Sequence, residues 1–353
     1  MPENRAIKIV ADGQAKIVET EIPKLPNDKY ILVKVTAVAL NPTDWKHIDS
    51  ASAIGCLNTQ VGCDYAGIVE EVGSGVTKDF KKGDRITGPV NGSNPHRLTD
   101  GSFSNYIAVL GDIQIKTPEL LTDEQAASLG IAITTVGQSL FQTLGLPLPG
   151  ENSGKTGKIL IYGGSSAMGC MGIQFAKAVG FEVITTCSPS NFNLVKSLGA
   201  DHIFDYNDAS SAASVRTLTG NKLMYAWDCI SLPETGRFCA NAVSTEGAKY
   251  SALLPHAGEA AKEINPKLET FMTLYYVAFN EPVKFYADIP ASPESFEFAR
   301  KFWDISAKLL AEGTIKTTPI AVNVGGSGLE GVLAGLEELK NGKVSGKKLV
   351  YVL

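Results

Sequence analysis

A glycine-containing turn is the part of this 353-residue chain whose residue types and spacing point most directly to chemistry. An apolar run, Ile159–Tyr162, stops at Gly163–Gly164, and a short Ser/Ala segment with Gly169 leads into helical spacing that reaches Val179. A strand, a tight glycine turn and a helix in this order direct backbone N–H groups and a helix N-terminus at a pyrophosphate. The glycines are not spaced as G-x-G-x-x-G, so tight packing of a helix on a strand is the alternative interpretation.

The segment after the next apolar run indicates which nicotinamide cofactor such a turn would hold. NAD-selective proteins carry an acidic residue about 20 residues beyond the glycines, on the adenosine ribose hydroxyls. Here the run Glu182–Cys187 ends in Ser188, Pro189, Ser190 and Asn191, without an acid. Hydroxyl and amide groups accept a 2′-phosphate without charge repulsion, so we expect NADPH. A helix cap formed by Ser190 or Asn191 is a compatible structural role.

Alternating strand-like and helical segments predict the frame that positions this turn. From residue 158 onward the runs ILIYGG, EVITTC, HIFDY, MYAWDCI and AKYSALL alternate with helical stretches, which indicates βαβ units and a parallel sheet. Residues 1–130 are typical of short strands broken by Gly, Pro, Asn and Asp. After Glu294 an amphipathic helix is predicted to end at Gly313, followed by strand, helix and strand. We predict an α/β protein with a β-rich domain, an inserted doubly wound domain, and a C-terminal return to the first.

Composition is that of a globular protein and argues against several function classes. The chain is 44% hydrophobic and 20% charged, with a formal net charge of −5, so it lacks the basic balance that nucleic acid binding needs. The N-terminal residues lack the pattern of a secretory signal, and no apolar run approaches the about 18 residues of a membrane span. The six cysteines include no CxxC pair. We therefore expect a reduced, cytoplasmic protein with no nucleic acid or membrane partner.

Further motifs occur in a characteristic order along nearly the whole chain. They are NPTDWK at 41–46, GCDYAGIVEEVGSGV at 62–76, GDRI at 83–86, GSFSNYIAV at 101–109, EQAASLGIAITTVGQSL at 124–140, the glycine turn, and GKVSGKKLVYVL at the end. On these motifs the chain resembles the medium-chain dehydrogenase/reductase superfamily. On LGLPLPG, TCSPSNF, AWDCI and VSGKKLV it resembles the fungal trans-acting enoyl reductases of polyketide synthases. The resemblance implies a GroES-like β-rich catalytic domain (1–134 and 291–353), a Rossmann doubly wound parallel-sheet domain (135–290), and an active site in the cleft between them.

The resemblance also bears on metal binding. Zinc-dependent relatives hold a catalytic metal through a Cys near the start of the NPTD-like motif and a His in a GHE motif. Here Asn41 stands at the Cys position, GHE is replaced by Gly62, Cys63 and Asp64, and residues 89–112 contain no cysteine for a structural zinc. Because a zinc site needs about four N, S or O ligands, we expect no metal. Metal-free chemistry favours reduction of an activated C=C bond over alcohol oxidation.

Site residues are implied by the resemblance position by position. Two are catalytic: Lys46, near the nicotinamide ribose or the developing enolate, and Thr135, a hydroxyl close to the nicotinamide and the substrate carbonyl. The structural alternatives are a solvated turn lysine and a helix-packing threonine. The implied cofactor contacts are Thr43, Asp44, Trp45, Lys46, Ser165, Ser166, Ala167, Met168, Ser188, Pro189, Ser190, Asn191, Tyr206, Cys229, Leu253, Leu254, Val344 and Ser345. Among them, the resemblance implies that Tyr206 packs on the adenine ring, that Cys229, Leu253 and Leu254 lie on the nicotinamide side, and that Val344 and Ser345 belong to a loop that closes over the cofactor. The implied acyl pocket is formed by Thr134, Thr135, Val136, Gly137, Gln138, Ser139, Leu140 and Phe141.

Three functions are compatible with these features. The first is a trans-acting enoyl reductase that uses NADPH to reduce the α,β-double bond of a polyketide acyl thioester on the acyl-carrier domain of a polyketide synthase or synthase–peptide synthetase hybrid. The second is an NADPH quinone or enone oxidoreductase for free small molecules, and the third a non-catalytic NADPH-binding protein. An acidic carrier domain would need a basic patch, with Lys81, Lys82, Arg85 and Arg97 as candidates. We expect a monomer or homodimer.

Overall fold

The computed structural model describes residues 4–151, 154, 156–284 and 288–353. They form two compact units. Unit 1 takes in the described residues within 1–134, 276–313 and 317–353, and unit 2 those within 135–275 and 314–316. The Pro/Gly-rich break before Lys158 includes residues 152, 153 and 155, which lie outside the described residues.

The strands follow the apolar runs of the sequence. They are β1 (Asn4–Ala11), β2 (Gln14–Thr20), β3 (Tyr30–Ala39), β4 (Asp64–Val72), β5 (Arg85–Pro89), β6 (Tyr106–Leu110), β7 (Ile115–Lys116), β8 (Lys158–Tyr162), β9 (Glu182–Cys187), β10 (His202–Asp205), β11 (Tyr225–Asp228), β12 (Ala248–Ala252), β13 (Leu268–Met272), β14 (Val283–Lys284), β15 (Asp288–Ile289), β16 (Ile320–Val322) and β17 (Lys348–Val352).

The helices occupy the segments between them. They are α1 (Pro42–Asp49), α2 (Ala51–Ile54), α3 (Asp123–Ala126), α4 (Gly130–Val136), α5 (Ala167–Ala178), α6 (Phe192–Ser197), α7 (Ser211–Leu218), α8 (Pro233–Ala242), α9 (Pro255–Ile264), α10 (Pro293–Ala311) and α11 (Gly328–Lys340), with 3₁₀ turns at Gly111–Ile113, Pro189–Asn191 and Tyr275–Phe279 and a π-helical turn at Gly137–Thr143. Among the described residues, no helix combines the length and apolar character that crossing a lipid bilayer requires.

Unit 1 is built on a mixed sheet with the strand order β16-β17-β3-β4-β5-β7, in which β6 also pairs with β3. Strand β3, YILVKVTAVA, is rich in β-branched residues and buries most of its side chains, as a central strand does. The C-terminal strand β17 runs antiparallel to β3, with Val350 opposite Ala39. The unit's core forms around Ile31, Val33 and Val69, which are fully buried. This pairing brings the last residues of the chain next to the motif that begins at Asn41.

The described residues 276–284 and 288–290 belong to unit 1, whereas the sequence analysis placed them in the Rossmann domain. The apolar run FMTLYYVAF does not continue as one strand, since β13 ends at Met272 and a 3₁₀ turn follows. Polar contacts hold this segment: Tyr276 Oη lies 2.9 Å from Thr43 Oγ1, and Glu281 accepts a hydrogen bond from Arg97 at 2.5 Å. Hydrophobicity alone does not reveal such partners.

Unit 2 is a doubly wound parallel sheet with the strand order β10-β9-β8-β11-β12-β13, so the predicted α/β fold with a parallel sheet is confirmed. Residues Ile159–Ile161 of β8 are completely buried, as expected for a parallel strand covered by helices on both faces. The chain winds outward from β8 in one direction and from β11 in the other. A reversal of this kind opens a crevice at the carboxyl ends of the two strands, where such folds bind ligands.

Candidate active site

Within unit 2, the predicted nucleotide-binding residues lie at the carboxyl ends of consecutive strands. Ser165–Met168 follow β8, Ser188–Asn191 follow β9, Tyr206 follows β10, Cys229 follows β11, and Leu253 and Leu254 follow β12. These strands are parallel, so their carboxyl ends share one edge of the sheet. The fold therefore gathers this group at the edge where open α/β sheets bind nucleotides.

The turn between β8 and α5 presents backbone donors because its glycines allow a close approach. Gly163 has a φ of 81°, in the left-handed region that favours glycine. A Cβ atom on Gly169 would lie 2.3 Å from the carbonyl oxygen of Gly163, so glycine is needed for α5 to begin this close to the strand. Ser166 Oγ accepts a hydrogen bond from the Gly169 N–H at 3.0 Å and caps the helix. Residues 165–168 remain half-buried, and their amides fit a pyrophosphate.

Uncharged polar side chains from two neighbouring turns meet beside that helix start. Asn191 Nδ2 donates to Ser165 Oγ at 3.3 Å and to Ser188 Oγ at 3.1 Å. Ser188 Oγ and Ser190 Oγ are 3.1 Å apart, and Pro189 and Ser190 are exposed. The cluster contains no carboxylate, so it does not repel a phosphate on an adenosine ribose. These residues fit the adenosine end of a nicotinamide dinucleotide.

Tyr206 presents an aromatic ring at the same edge. Its side chain is 43% exposed, and its ring centroid lies 6.4 Å from that of Tyr162, which packs edge-on against Phe238 at 5.1 Å. An exposed ring backed by the buried Tyr162 ring is suited to stacking on a purine. Binding of adenine by Tyr206 stays a prediction.

Sequence reasoning missed Asp228 and Ser231, which shape the ends of β11 and β12. The buried Asp228 carboxylate accepts hydrogen bonds from the N–H groups of Ile230 and Ser231, at 2.9 and 2.8 Å, and from the Tyr250 hydroxyl at 2.8 Å. Ser231 has a φ of 63°, and its Oγ accepts a hydrogen bond from the Leu253 N–H at 2.7 Å. The sequence feature that could have pointed to Asp228 was an acidic residue at the end of the apolar run of β11. These contacts fix the loops that carry the predicted nicotinamide-side residues.

Cys229 is a buried thiol and not a reactive group. Burial raises the pKa of its thiol well above the usual value, so the sulfur stays protonated. Leu253 and Leu254 are half-buried beside it in the sheet order. All three offer apolar contact to a ligand, and their role at the nicotinamide stays a prediction.

The motif NPTDWK forms the start of α1 in unit 1. The Asn41 N–H donates to Asp44 Oδ2 at 2.7 Å, which fixes the helix start, and Pro42 occupies the first helical position. Asp44 is buried, and this burial raises the pKa of its carboxyl to about 8. Thr43 is half-buried, with its hydroxyl 3.2 Å from His47 Nδ1. Asp44, the third helical residue, therefore fixes the helix start by accepting from the N–H of the N-cap residue Asn41.

Lys46 lies exposed on α1, next to the half-buried Trp45. Its Nζ is 5.6 Å from the centroid of the Trp45 ring, a cation–π distance. Partial desolvation lowers the pKa of the Lys46 ammonium. An exposed ammonium held over a ring is able to donate to a ribose hydroxyl or an enolate oxygen, but its catalytic role stays a prediction.

The segment expected to line the acyl pocket is buried throughout. The Thr134 hydroxyl donates to the Gly130 carbonyl at 2.9 Å and accepts from Trp303 Nε1 at 3.0 Å, so its hydrogen-bonding capacity is used within unit 1. Thr135 is 4% exposed in α4. The remaining members, which belong to unit 2 and include the π-helical turn, are Val136, Gly137, Gln138, Ser139, Leu140 and Phe141. Substrate binding here and catalysis by Thr135 stay predictions.

Two polar groups of that turn distinguish it from an ordinary core segment. Gln138 Oε1 and Ser139 Oγ are buried without a hydrogen-bond partner among the described residues. Gln138 Nε2 donates to the Tyr275 carbonyl at 3.4 Å. Single π-helical turns are frequent at functional sites, and unpartnered buried oxygens are costly unless a ligand or water satisfies them.

Val344 and Ser345 lie in the loop between α11 and β17 of unit 1. Val344 is half-buried against the unit's apolar core, whereas Ser345 is exposed. A role in covering the cofactor stays a prediction.

A buried ion pair joins the start of β17 to the start of β4. Lys348 Nζ lies 2.7 Å from Asp64 Oδ2, with the side chains 3% and 0% exposed. Lys348 also donates to Asn41 Oδ1, and Asn41 Nδ2 donates to Asp64 Oδ2 at 3.0 Å. Asp64 Oδ1 accepts from the Ile131 N–H at 2.6 Å. Sequence reasoning did not identify Lys348, because its partners are nearly 300 residues away in the chain.

Three of the four basic residues considered for a carrier-docking patch are paired with carboxylates. The pairs, with their N–O distances, are Lys82–Glu70 at 2.9 Å, Arg85–Asp123 at 2.6 Å, Arg97–Asp100 at 2.9 Å and Arg97–Glu281 at 2.5 Å. Only Lys81 of the four has no ion pair among the described residues. The pairing neutralises most of the patch, so it no longer supports docking there.

The fold and this arrangement of residues agree with two family models. The model of the alcohol dehydrogenase GroES-like domain matches residues 27–119, and that of the zinc-binding dehydrogenase matches residues 167–272. The chain belongs to the medium-chain dehydrogenase/reductase superfamily, whose members are oxidoreductases that use a nicotinamide cofactor. The glycine turn, the Ser188–Asn191 turn and the strand ends around Asp228 are the residues that fit such a cofactor.

Within that superfamily the chain is close to the fungal trans-enoyl reductases. It is 42% identical over 351 residues to the trans-enoyl reductase ACTTS2 of Alternaria alternata, covering 99% of both chains. It is 53% identical over 255 residues to the trans-enoyl reductase TOXD of Cochliobolus carbonum, covering 72% of this chain and 84% of that one. The structure of the quinone oxidoreductase from Coxiella burnetii shares the fold, with a TM-score of 0.74 and 24% identity over 99% of both chains.

The description of one family model raises the question of whether these residues fit a zinc ion. Of the three candidate donors, Asn41 and Asp64 already bind the Lys348 ammonium, and a dication placed against the same oxygens would meet that positive charge. The third candidate donor, Cys63, is a buried thiol whose Sγ lies 3.9 Å from the Tyr276 hydroxyl. Within the described part of the chain, no group of three or more His, Cys, Asp and Glu is placed to hold a metal. The donor set does not fit zinc.

Proposed function

We propose that this protein is an NADPH-dependent, zinc-independent enoyl reductase that acts in trans on the acyl-carrier-bound intermediate of a polyketide synthase or synthase–peptide synthetase hybrid. The observation that carries the proposal is the 42% identity to a named trans-enoyl reductase across 99% of the chain. The uncharged cluster of Ser165, Ser188 and Asn191 supports NADPH. The buried Lys348–Asp64 pair supports a reaction without zinc.

In this proposal, residues of the chain bind the cofactor phosphates, orient the reacting groups, and stabilise the charge that develops on the thioester oxygen. The start of α5 holds the pyrophosphate, and the Ser188–Asn191 turn holds the phosphate of the adenosine ribose. When bound, the reduced nicotinamide supplies the hydride for the β-carbon of the enoyl group. Lys46 donates to the ribose or to the enolate oxygen, and the Thr135 hydroxyl donates to the thioester carbonyl. Alignment of the reacting carbons supplies much of the rate.

The test compares substrates and cofactors with the purified full-length protein. We expect NADPH oxidation with an enoyl pantetheine thioester, faster turnover when the same acyl chain is on a carrier domain, and kcat/KM at least about tenfold lower with NADH, a difference of about 1.4 kcal/mol. Treatment with EDTA should leave the activity unchanged. Faster turnover of simple quinones would overturn the proposal in favour of a quinone reductase, and tight NADPH binding without any turnover would overturn it in favour of a binding protein.

A charge change in the turn after β9 tests the cofactor assignment separately. Asn191→Asp puts a carboxylate beside Ser165 and Ser188, where it would repel a 2′-phosphate. We expect the Kd for NADPH, measured by fluorescence titration, to rise at least about tenfold, or about 1.4 kcal/mol, with little change for NADH. Asn241→Asp, on the exposed face of α8, makes the same charge change elsewhere in unit 2 and serves as the control. An equal loss for both cofactors would contradict the assignment.

A further inference from the structure

The end of β11 carries a carboxylate that connects three elements of unit 2. Asp228 is the last residue of the strand and is fully buried, and β11 lies between β8 and β12 in the sheet. Its Oδ1 accepts hydrogen bonds from the N–H groups of Ile230 and Ser231, at 2.9 and 2.8 Å. Its Oδ2 lies 2.8 Å from the Tyr250 hydroxyl of β12 and 2.6 Å from the Thr235 hydroxyl of α8. One side chain therefore fixes the loop after β11 to the neighbouring strand and helix.

Ser231 connects the same loop to the loop after β12. Its hydroxyl donates to the Asp228 carbonyl oxygen at 2.8 Å and accepts from the Leu253 N–H at 2.7 Å. Ser231 is 1% exposed, so water does not compete for these bonds. Its φ of 63° lies in the left-handed region that favours glycine, and non-glycine residues held in this region cluster at functional sites. The Ser231 hydroxyl thus sets the position of each loop relative to the other.

These loops present apolar side chains next to the glycine turn. The order of the sheet reverses between β8 and β11, so the loop after β11 borders the crevice at this reversal. A Cβ atom on Gly163 would lie 2.8 Å from Ile230 Cγ1, which shows how closely the loop packs on the glycine turn. Ile230 is nevertheless 39% exposed, and Leu253 and Leu254 are half-buried. An apolar surface therefore follows the ends of β11 and β12.

The sheet order indicates which half of a dinucleotide would meet this surface. In the proposed function the start of α5, after β8, holds the pyrophosphate, and the turn Ser188–Asn191, after β9, holds the adenosine end. Strand β9 lies on one side of β8, whereas β11 and β12 lie on the other. The two halves of the cofactor extend in opposite directions from the pyrophosphate, so the nicotinamide half is directed over the ends of β11 and β12.

We propose that Asp228 and Ser231 are positioning residues for the nicotinamide half of the cofactor. The proposal rests on the cofactor assignment of the proposed function. Asp228 and Ser231 act through their neighbours: they hold the backbone at Ile230 and Leu253, whose side chains present one fixed apolar surface to the nicotinamide ring. Because the contacts are internal to unit 2, they order both loops without the cofactor, and binding then loses less conformational entropy.

Loss of the Ser231 hydroxyl tests the proposal because it separates the two halves of the cofactor. Ser231→Gly removes both hydroxyl bonds but keeps the left-handed backbone, which glycine adopts readily. We expect the Kd for NADPH, measured by isothermal titration calorimetry, to rise about tenfold. The Kd for adenosine 2′,5′-bisphosphate, which lacks the nicotinamide half, should stay at the wild-type value. An equal rise for both ligands, or no rise for NADPH, would overturn the positioning role.

Asn221→Gly is the matched control at the opposite edge of the same two strands. Asn221 has a φ of 58°, and its side chain connects the loop before β11 to the loop before β12. Its Nδ2 donates to Thr245 Oγ1 at 2.8 Å, and its Oδ1 accepts from the Thr245 N–H at 3.0 Å. The control variant therefore also removes two hydrogen bonds at a left-handed position, and both Kd values should stay at the wild-type level. A selective rise for NADPH in this variant would mean that loosening of β11 and β12 anywhere has the same effect, which would overturn the proposal.

Amide hydrogen exchange gives a second measurement that needs no variant. In the cofactor-free wild-type protein, the amides of Ile230, Ser231 and Leu253 should exchange at least about 100-fold more slowly than unstructured amides, because each donates to an acceptor within unit 2. Exchange at the unstructured rate would overturn the proposal. If the wild-type protein binds neither NADPH nor NADH, the proposed function fails, and the positioning role fails with it. If the wild-type protein binds NADPH and Ser231→Gly binds it equally well, only the positioning role fails.

Discussion

At the scale of single residues, Lys46 offers the most direct test of catalysis. Its ammonium is exposed beside Trp45, and a hydrogen bond from a charged group contributes about 1.5–3 kcal/mol. We expect Lys46→Ala to lower kcat/KM by at least about tenfold, without a change in melting temperature, because surface substitutions alter stability by about 0.5 kcal/mol or less. Lys24→Ala, at another exposed lysine of unit 1, is the control. A kcat/KM near the wild-type value for both variants would show that Lys46 is only a solvated surface lysine.

Asp44 makes stability depend on pH in a defined direction. Burial raises the pKa of its carboxyl from 3.8 to about 8, so between these values the folded protein binds one proton more than the unfolded chain. The free energy of unfolding therefore falls as pH rises, by up to about 1.4 kcal/mol per pH unit from this group. Asp44→Asn removes the titration, and its stability relative to wild type should increase from pH 5 to pH 8 and then level off.

Urea unfolding at several pH values measures this difference. Asp79→Asn, at a fully exposed carboxylate, is the control and should follow the wild-type pH dependence. A constant stability difference between Asp44→Asn and wild type across this range would mean that Asp44 is already ionised in the folded protein.

At the scale of elements, the start of α5 depends on glycine at one position. A Cβ on Gly169 would meet the Gly163 carbonyl oxygen at 2.3 Å and Gly164 Cα at 2.6 Å. Both are backbone atoms, so the turn must shift. Gly169→Ala should therefore raise the Kd for NADPH at least about tenfold, or about 1.4 kcal/mol, although alanine favours helices. Fluorescence titration measures this loss.

Gly258→Ala in α9 is the matched control for that variant. Its Cβ would meet the Thr270 side chain at an ordinary 3.4 Å, so the gain in helix propensity, up to about 1 kcal/mol, should be retained without loss of binding. Equal NADPH affinity in the two variants would show that the close approach at Gly169 does not shape the nucleotide site.

At the scale of the whole molecule, the Lys348–Asp64 pair ties the last strand of the chain to residues near its start. Lys348→Met would leave Asp64 as an uncompensated buried charge, which costs about 3–5 kcal/mol. The double variant Asp64→Asn with Lys348→Met removes that charge and should be more stable than the single variant. Lys343→Met breaks an exposed pair with Glu338 at 2.9 Å and should cost about 1 kcal/mol or less. Equal unfolding free energies for Lys348→Met and Lys343→Met would contradict a structural role for the buried pair.

The predictions from sequence were most complete where the signal is local. Strand β8, the glycine turn and α5 occupy about twenty consecutive residues, and their order alone indicated the parallel sheet that the structure has. The helix expected to stop at Gly313 is α10, which ends at Ala311, just before Gly313 adopts a φ of 71°. The apolar run that begins at Leu268 did not reveal that β13 ends at Met272 and that a turn begins at Tyr275. This division depends on polar partners of Tyr276 and Glu281 in unit 1.

The class of the protein and the position of the glycine turn between β8 and α5 could be read from the residues alone, since the local order of β-branched runs, glycines and caps dictates these elements. The sequence also determined that Ser188–Asn191 carries no acid. The folded chain shows in addition that Lys348 neutralises Asp64, that Arg85 and Arg97 are paired with carboxylates, and that the Tyr276 hydroxyl lies 2.9 Å from that of Thr43. The physical reason is that ion pairs and hydrogen bonds act over about 3 Å in space, so their partners are set by how distant segments pack.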